Sequence, residues 1–321
     1  MRCVVVGSGA FGFAIAVNLL KNGNDVTVWC SSKDKLNEIH CGKEIIPGIK
    51  IPIEMKFTDS IKDAVIDADV IYLMTSAKYI GDVTKKINKY AKKDAVYCIG
   101  SKGIEQGSCE FVHEVFKKNS NNSNYAVISG PSFAVDLASG EPIGFSLAAS
   151  NRRTSKLIIE TLSSNSVKLR KSSDMIGVEL CGSIKNVIAV AAGIITGLGY
   201  NESTRSLLIV ESMHDIKWLI KVLGGRKKTI LSFAGIGDLL LTCTSVKSRN
   251  YSYGILLGKK DFDGAKKYLE TTTVEGYYTL KSIYTLLNRK KIKMPVVDLI
   301  YSIVMNNDDP EKLASFLINK D

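Results

Sequence analysis

Residues 2–12 read Arg2-Cys3-Val4-Val5-Val6-Gly7-Ser8-Gly9-Ala10-Phe11-Gly12, and the fold of the first half turns on them. The apolar run from Cys3 to Val6, with three β-branched residues in succession, predicts a strand. Gly7, Gly9 and Gly12 follow in G-x-G-x-x-G spacing, and a helical pattern over residues 11–22 begins at once. Each glycine has a physical task in such a passage. Gly7 permits the tight turn, Gly9 lets a pyrophosphate approach the backbone, and Gly12 lets the helix pack close to the strand. The phosphates would then lie at the positive end of the helix.

Outward from this loop, short β-branched runs alternate with amphipathic stretches. Strands are predicted at 25–29, 70–75, 95–99, 125–129, 144–148 and 166–170, with further helices at 61–68 and 80–91. Gly23 stops the first helix, and Ser31-Ser32-Lys33-Asp34 reads as a turn after the second strand. Strands alternating with helices imply βαβ units and a parallel, helix-covered sheet. From about Asp174 the pattern becomes helical: 177–195, 203–222, 250–258, 276–289 and 296–305. The fold class expected is an α/β Rossmann-like N-terminal domain, residues 1–176, with a second, all-helical C-terminal domain, residues 177–321. A ligand site is expected where the two domains meet.

Composition narrows the function. Among 321 residues, 45% hydrophobic and 23% charged is ordinary for a globular protein. The net charge of +11 comes largely from dispersed lysines such as Lys85, Lys86, Lys89, Lys92 and Lys93, spaced as on a solvated helix face. No nucleic-acid motif accompanies them, so an anionic small molecule fits the charge better than a nucleic acid. Seven scattered cysteines without a C-x-x-C pair, and three isolated histidines, point to free thiols and no metal site. The chain enters its first strand with no secretory leader pattern. The most apolar stretch, Val187 to Leu198, is interrupted by Gly193 and Gly197 and falls short of the roughly 20 residues that cross a bilayer. A buried helix, no membrane span and a cytoplasmic protein are therefore expected.

Several other segments carry chemistry. The second strand ends in Trp29-Cys30-Ser31-Ser32-Lys33, with no carboxylate before Asp34. A carboxylate there would bind a ribose 2′-hydroxyl and repel a 2′-phosphate, so its absence makes NADPH acceptable. Ser101-Lys102-Gly103 and Ser129-Gly130-Pro131-Ser132 each follow a strand, at the sheet edge where ligands bind in such folds. Lys185 and Asn186 interrupt an otherwise apolar helix, and a lysine in those surroundings is costly unless it meets a partner or ligand. Asp238, after Gly235-Ile236-Gly237, reads as the acidic cap of a helix. Ser248-Arg249-Asn250 brings together three groups suited to phosphate, Arg249 with a planar fork.

Taken in order, these pieces resemble the bacterial-type NAD(P)-dependent sn-glycerol-3-phosphate dehydrogenase family. The matching stretches are G-x-G-x-x-G at Gly7, Lys102-Gly103-Ile104-Glu105, and Ile128-Ser129-Gly130-Pro131-Ser132-Phe133-Ala134. They continue with G-x-x-K-N-V from Gly182, A-G-I-G-D-L-x-L-T-C-T from Ala234, S-R-N at Ser248 and V-E-G-Y from Val274. The resemblance spans nearly the whole chain. It implies that Lys185 is the catalytic lysine that exchanges a proton with the C2 oxygen of a small phosphorylated ketone. Lys102, Gly130, Ser132, Asp238, Ser248, Arg249 and Asn250 would bind that substrate together with Lys185. Gly7, Gly9, Ala10, Phe11, Gly12, Ser31, Lys102, Ala134, Arg249, Thr273 and Glu275 would bind the cofactor, NADPH or NADH. A homodimer is also implied. Phe11 stands where the family more commonly has Trp or Tyr, and Ser31 where it often has His or Arg, which leaves the coenzyme preference open. Two other readings compete: a dehydrogenase of a 2-keto or 3-hydroxy acid, with no use for the Ser248–Asn250 cluster, and a non-catalytic dinucleotide-binding regulator, with no use for two lysines.

Overall fold

β1 (Arg2–Val6) is buried from Cys3 onward and lies inside an eight-stranded sheet of order β3-β2-β1-β4-β5-β6-β7-β8. The computed structural model describes residues 1–320. The other strands are β2 (Asp25–Trp29), β3 (Lys56–Thr58), β4 (Val70–Leu73), β5 (Val96–Ile99), β6 (Tyr125–Ser129), β7 (Ile143–Ala149) and β8 (Val167–Ser172). The order reverses at β1, which pairs in parallel with both β2 and β4. Such a reversal leaves a crevice beyond the carboxyl ends of β1 and β4, and the glycine loop sits there. One pairing departs from the parallel sheet expected: β7 runs antiparallel to β6, and β8 then runs parallel to β7.

The sheet carries helices α1 (Ala10–Lys21), α2 (Lys33–His40), α3 (Ile61–Val65), α4 (Ile80–Ile87), α5 (Val112–Asn119), α6 (Ala134–Ser139) and α7 (Arg152–Leu162). Phe13, Ile15, Ala16 and Leu19 of α1 join Val5, Tyr72, Ile128, Phe145, Leu162 and neighbours in one buried apolar cluster. Two buried polar groups beside it are paired, as burial favours. The Tyr72 hydroxyl meets Thr161 Oγ1 at 2.5 Å, and Asn18 Nδ2 donates to the Leu162 carbonyl at 2.8 Å. α2 begins within the stretch read as a turn. Ser32 is its N-cap, its hydroxyl accepting the Lys35 N–H, so the turn residues are a helix start.

The second unit is helical: α8 (Met175–Gly197), α9 (Glu202–Val222), α10 (Asp238–Cys243), α11 (Arg249–Gly258), α12 (Phe262–Thr271), α13 (Glu275–Arg289), α14 (Pro295–Asn306) and α15 (Glu311–Asn319). α8 has 23 residues, which is long and apolar enough to cross a bilayer, so the length argument from Val187–Leu198 does not stand. Burial decides the matter instead, because its apolar window lies wholly inside the protein.

α8 and α11 meet backbone to backbone. A Cβ on Gly193 would lie 2.1 Å from the Tyr251 carbonyl oxygen, and one on Gly254 2.1 Å from that of Val190. One turn on, Gly197 and Gly258 face each other in the same way. Two G-x-x-x-G rows thus fix the register of the helix that carries Lys185 against the one that begins at Arg249.

A contiguous division at 176/177 describes the chain incompletely. The first unit comprises Met1–Ser101 and Val112–Met175, and the second takes Lys102–Phe111 as well as the chain from Ile176 onward. Residues 102–111 are held there by particular bonds. Gly103 N–H donates to Ser183 Oγ at 3.0 Å, and Arg289 donates to the Ser108 carbonyl at 3.0 Å.

Candidate functional site

In the first unit the three glycines of the loop answer to three different constraints. Gly7 has φ +122°, and a Cβ there would lie 2.8 Å from the Met74 carbonyl oxygen, across the β1/β4 crevice. A Cβ on Gly12 would lie 2.0 Å from the Gly7 carbonyl oxygen, so helix and loop touch at that point. A Cβ on Gly9 would meet nothing within 4 Å. The protein's own packing gives no reason for glycine at Gly9, whereas a ligand backing onto that turn does. Gly9 is also the N-cap of α1, and it supplies no side-chain cap, nor is there an acidic residue in the first turn. An uncapped helix start behind a glycine loop is suited to a pyrophosphate, so the residues present fit a dinucleotide.

Around this loop, Phe11 packs edge-on to Phe145, with ring centroids 6.2 Å apart. Ser31 is exposed after β2, and Ala134 opens α6. Gly130 has a packing reason to be glycine, since a Cβ would lie 2.1 Å from the Gly144 carbonyl oxygen of the antiparallel neighbour strand. Ser132 turns its hydroxyl to the Gly130 carbonyl at 3.3 Å.

In the second unit Lys185, Lys102 and Asp238 form one cluster. Asp238 is fully buried; Lys185 Nζ donates to its Oδ1 at 2.5 Å and Lys102 Nζ to its Oδ2 at 2.8 Å. Two ammoniums therefore share one carboxylate. Asp238 is not the helix cap that the sequence suggested. It is the first residue of α10, its N-cap is Gly237, and its side chain serves the lysines. The turn that aims it inward depends on Gly235, where ψ is −111° and a Cβ would lie 2.1 Å from the Ile230 carbonyl oxygen.

Burial pushes the Lys185 ammonium down to about 8, opposed by the adjacent Asp238 carboxylate and reinforced by Lys102. Thr242, one turn along α10 from Asp238, also accepts from Lys185 Nζ at 2.9 Å while donating to the Asp238 carbonyl at 2.6 Å. Thr242 lies within the A-G-I-G-D-L-x-L-T-C-T stretch that begins at Ala234, but neither composition nor resemblance assigns it a role. The i, i+4 spacing from Asp238 was the available signal.

The Ser248-Arg249-Asn250 triplet is differentiated. Ser248 caps α11 by accepting the Tyr251 N–H at 3.3 Å. Asn250 bridges helices, its Nδ2 donating to Asn186 Oδ1 at 3.0 Å and its Oδ1 accepting the Gly276 N–H at 2.8 Å. Arg249 alone of the three is exposed. Asn250 thereby links α11 to α13 and to the residue that follows Lys185 in α8. Thr273 is exposed just before α13, and Glu275 is its first residue. Among the described residues no group of three or more His, Cys, Asp or Glu could hold a metal ion.

A doubly wound sheet with an uncapped glycine loop, joined in one chain to a helical unit bearing a buried lysine, defines a dinucleotide-dependent oxidoreductase. Comparison with known proteins makes this specific. Residues 2–155 match the family model for the N-terminus of NAD-dependent glycerol-3-phosphate dehydrogenase, and residues 174–315 the model for its C-terminus. A Bartonella tribocorum protein named glycerol-3-phosphate dehydrogenase (NAD(P)+) is 35% identical over 98% of this chain and 96% of its own. The Bacillus subtilis protein of that name is 33% identical over 99% and 94%. The crystal structure of glycerol-3-phosphate dehydrogenase (gpsA) from Coxiella burnetii superposes with a TM-score of 0.94 at 30% identity, covering 99% of this chain and 98% of the other. The chain belongs to the NAD-dependent glycerol-3-phosphate dehydrogenase family.

Proposed function

We propose that the protein interconverts dihydroxyacetone phosphate and sn-glycerol 3-phosphate with NADPH or NADH, in the cytoplasm and as a homodimer, supplying glycerol phosphate for phospholipid synthesis. The observation that carries this reading is the buried Lys185–Asp238–Lys102 cluster, in a chain whose family acts on glycerol 3-phosphate. The bound nicotinamide supplies or accepts the hydride. Everything else falls to the chain.

Reduction of a ketone builds negative charge on its oxygen, and Lys185 is suited to meet that charge with a proton. Its ordinary pKa of about 10.4 would hold the proton too firmly. Drawn down to about 8, the ammonium is still mostly protonated at neutral pH yet gives its proton up more readily. Lys102 adds a second positive charge beside the same oxygen, and Asp238 orients both ammoniums. Thr242 holds Lys185 from the other side. In the reverse direction neutral Lys185 takes the proton from the C2 hydroxyl.

Arg249 is proposed to bind the remote phosphate. It is exposed at the first position of α11, where the positive end of the helix dipole adds to its charge. Ser248 and Asn250 support it by capping α11 and tying it to α8 and α13. Gly7, Gly9, Ala10, Phe11, Gly12, Ser31 and Ala134 would hold the dinucleotide from the first unit, and Thr273 and Glu275 from the second. Gly130 and Ser132 would complete the substrate site.

Arg249 tests the substrate class. A charge-assisted bond contributes roughly 1.5–3 kcal/mol. Arg249→Leu is therefore expected to lower kcat/KM for dihydroxyacetone phosphate by about tenfold to a hundredfold, measured as NADPH oxidation at saturating cofactor. Unphosphorylated dihydroxyacetone should be a poor substrate and lose much less. Equal losses for the two ketones would remove Arg249 from the phosphate site.

A further inference from the structure

Ser183 lies in the middle of α8, two residues before Lys185, and is 1% exposed. A serine inside a helix ordinarily gains little, bonding back to the carbonyl one turn earlier. Ser183 makes that bond, donating to the Glu179 carbonyl at 2.8 Å, and the same oxygen accepts the Gly103 N–H at 3.0 Å. That N–H belongs to the peptide immediately following Lys102. Gly103 has φ +133°, a conformation side chains rarely adopt, so the backbone there is shaped to present its N–H.

The rest of the 102–111 segment is closed on itself. The Glu105 carboxylate accepts both N–H and hydroxyl of Ser108, the Glu105 N–H donates to the Glu110 carbonyl, and Arg289 holds the Ser108 carbonyl at the far end. Ser183 fixes the near end, beside the lysine. We propose that Ser183 is a positioning residue, which holds Lys102 against the Asp238–Lys185 pair and thereby sets the acidity of the proton donor. This rests on Lys185 being that donor.

The groups acting on the Lys185 ammonium are Asp238, Thr242 and Cys243 of α10, and Lys102. Asp238 and Thr242 are fixed by their own helix. Burial pushes the Cys243 thiol up to about 12, so it stays neutral through the working range. Lys102 is the charge whose distance depends on a tether from another element, and that tether is Ser183. Releasing it lets the second ammonium retreat, leaves Asp238 more fully to Lys185, and raises the pKa of Lys185.

The test is the pH profile of kcat/KM for dihydroxyacetone phosphate reduction in wild type, Ser183→Ala, Ser183→Thr, Lys102→Met and the Ser183→Ala/Lys102→Met double variant. Ser183→Ala should move the falling alkaline limb to higher pH and lower kcat by about tenfold to a hundredfold, as misplacement of a group near the chemistry does. Ser183→Thr, which keeps the oxygen, should leave the limb where wild type has it. Lys102→Met should move the limb the same way as Ser183→Ala, and the double variant should move it no further. Should Ser183→Ala melt below the assay temperature, Ser183→Cys, of like shape but a poorer acceptor, carries the same reading. A Ser183→Ala limb at the wild-type position, or a further shift in the double variant, overturns the proposal while leaving Lys185 as donor. Full turnover in Lys185→Met overturns the donor assignment and this proposal with it.

Discussion

Burial draws the Lys185 ammonium down to about 8, while Asp238 pulls it upward and Lys102 adds to the descent. The sign of the pH dependence follows from which form reacts. With Lys185 as the proposed proton donor, ketone reduction draws on its protonated form, so kcat/KM should be flat below about pH 8 and fall above it; oxidation of the alcohol draws on the neutral form and should rise through the same range. Asp238→Asn removes the charge that favours the ammonium, and its falling limb should move to lower pH. A limb that stays put in Asp238→Asn would mean that Lys185 is not the titrating group. At this scale the sequence was half legible. Lys185 stood out because a charge in an apolar helix needs an explanation. Asp238 was noticed but read as a cap, since its turn toward the lysines depends on the backbone at Gly235. Thr242 offered only its i, i+4 spacing from Asp238 and Ser183 offered nothing, because a hydroxyl one turn along a helix announces no partner until the fold is known.

The strands and helices follow the same division between local and non-local causes. β1, β2 and β6 lie where their β-branched runs predicted, and α1, α8 and α9 where the apolar period did. β3 is three residues long and pairs only at the edge of the sheet, too short to show any alternation. α2 was hidden by its own Ser-Ser-Lys-Asp start, which is turn chemistry and cap chemistry at once. The reversal of β7 against β6 depends on Gly130 and Gly144 approaching closely, a pairing that no local pattern records. The glycine loop allows a clean test at the level of the element. Gly9→Ala places its methyl in open space, so the melting temperature should hold while affinity for NADPH, read by fluorescence titration, falls at least about tenfold. Gly12→Ala sets a methyl 2.0 Å from the Gly7 carbonyl oxygen and should lower the melting temperature as well. Loss of stability in both variants alike would show that Gly9 serves packing.

For the whole molecule, composition and motif order pointed to a two-part oxidoreductase for a small anion, and the family match over residues 2–155 and 174–315 agrees. The sequence cut the chain once, whereas the helical unit also claims residues 102–111 through Ser183, Asp238 and Arg289. A contact between residues 80 or more positions apart leaves no trace in local periodicity. Lys102, which follows β5 at the sheet edge, is grouped with the helical unit, where it shares Asp238 with Lys185. The reaction as a whole is proposed to hinge on Lys185, and Lys185→Met isolates it by keeping bulk while removing charge and proton. Its turnover of dihydroxyacetone phosphate with NADPH should be measured beside its NADPH affinity and melting temperature. The account predicts turnover lower by roughly 10²–10⁴ with cofactor binding and melting intact; turnover at the wild-type level would contradict it.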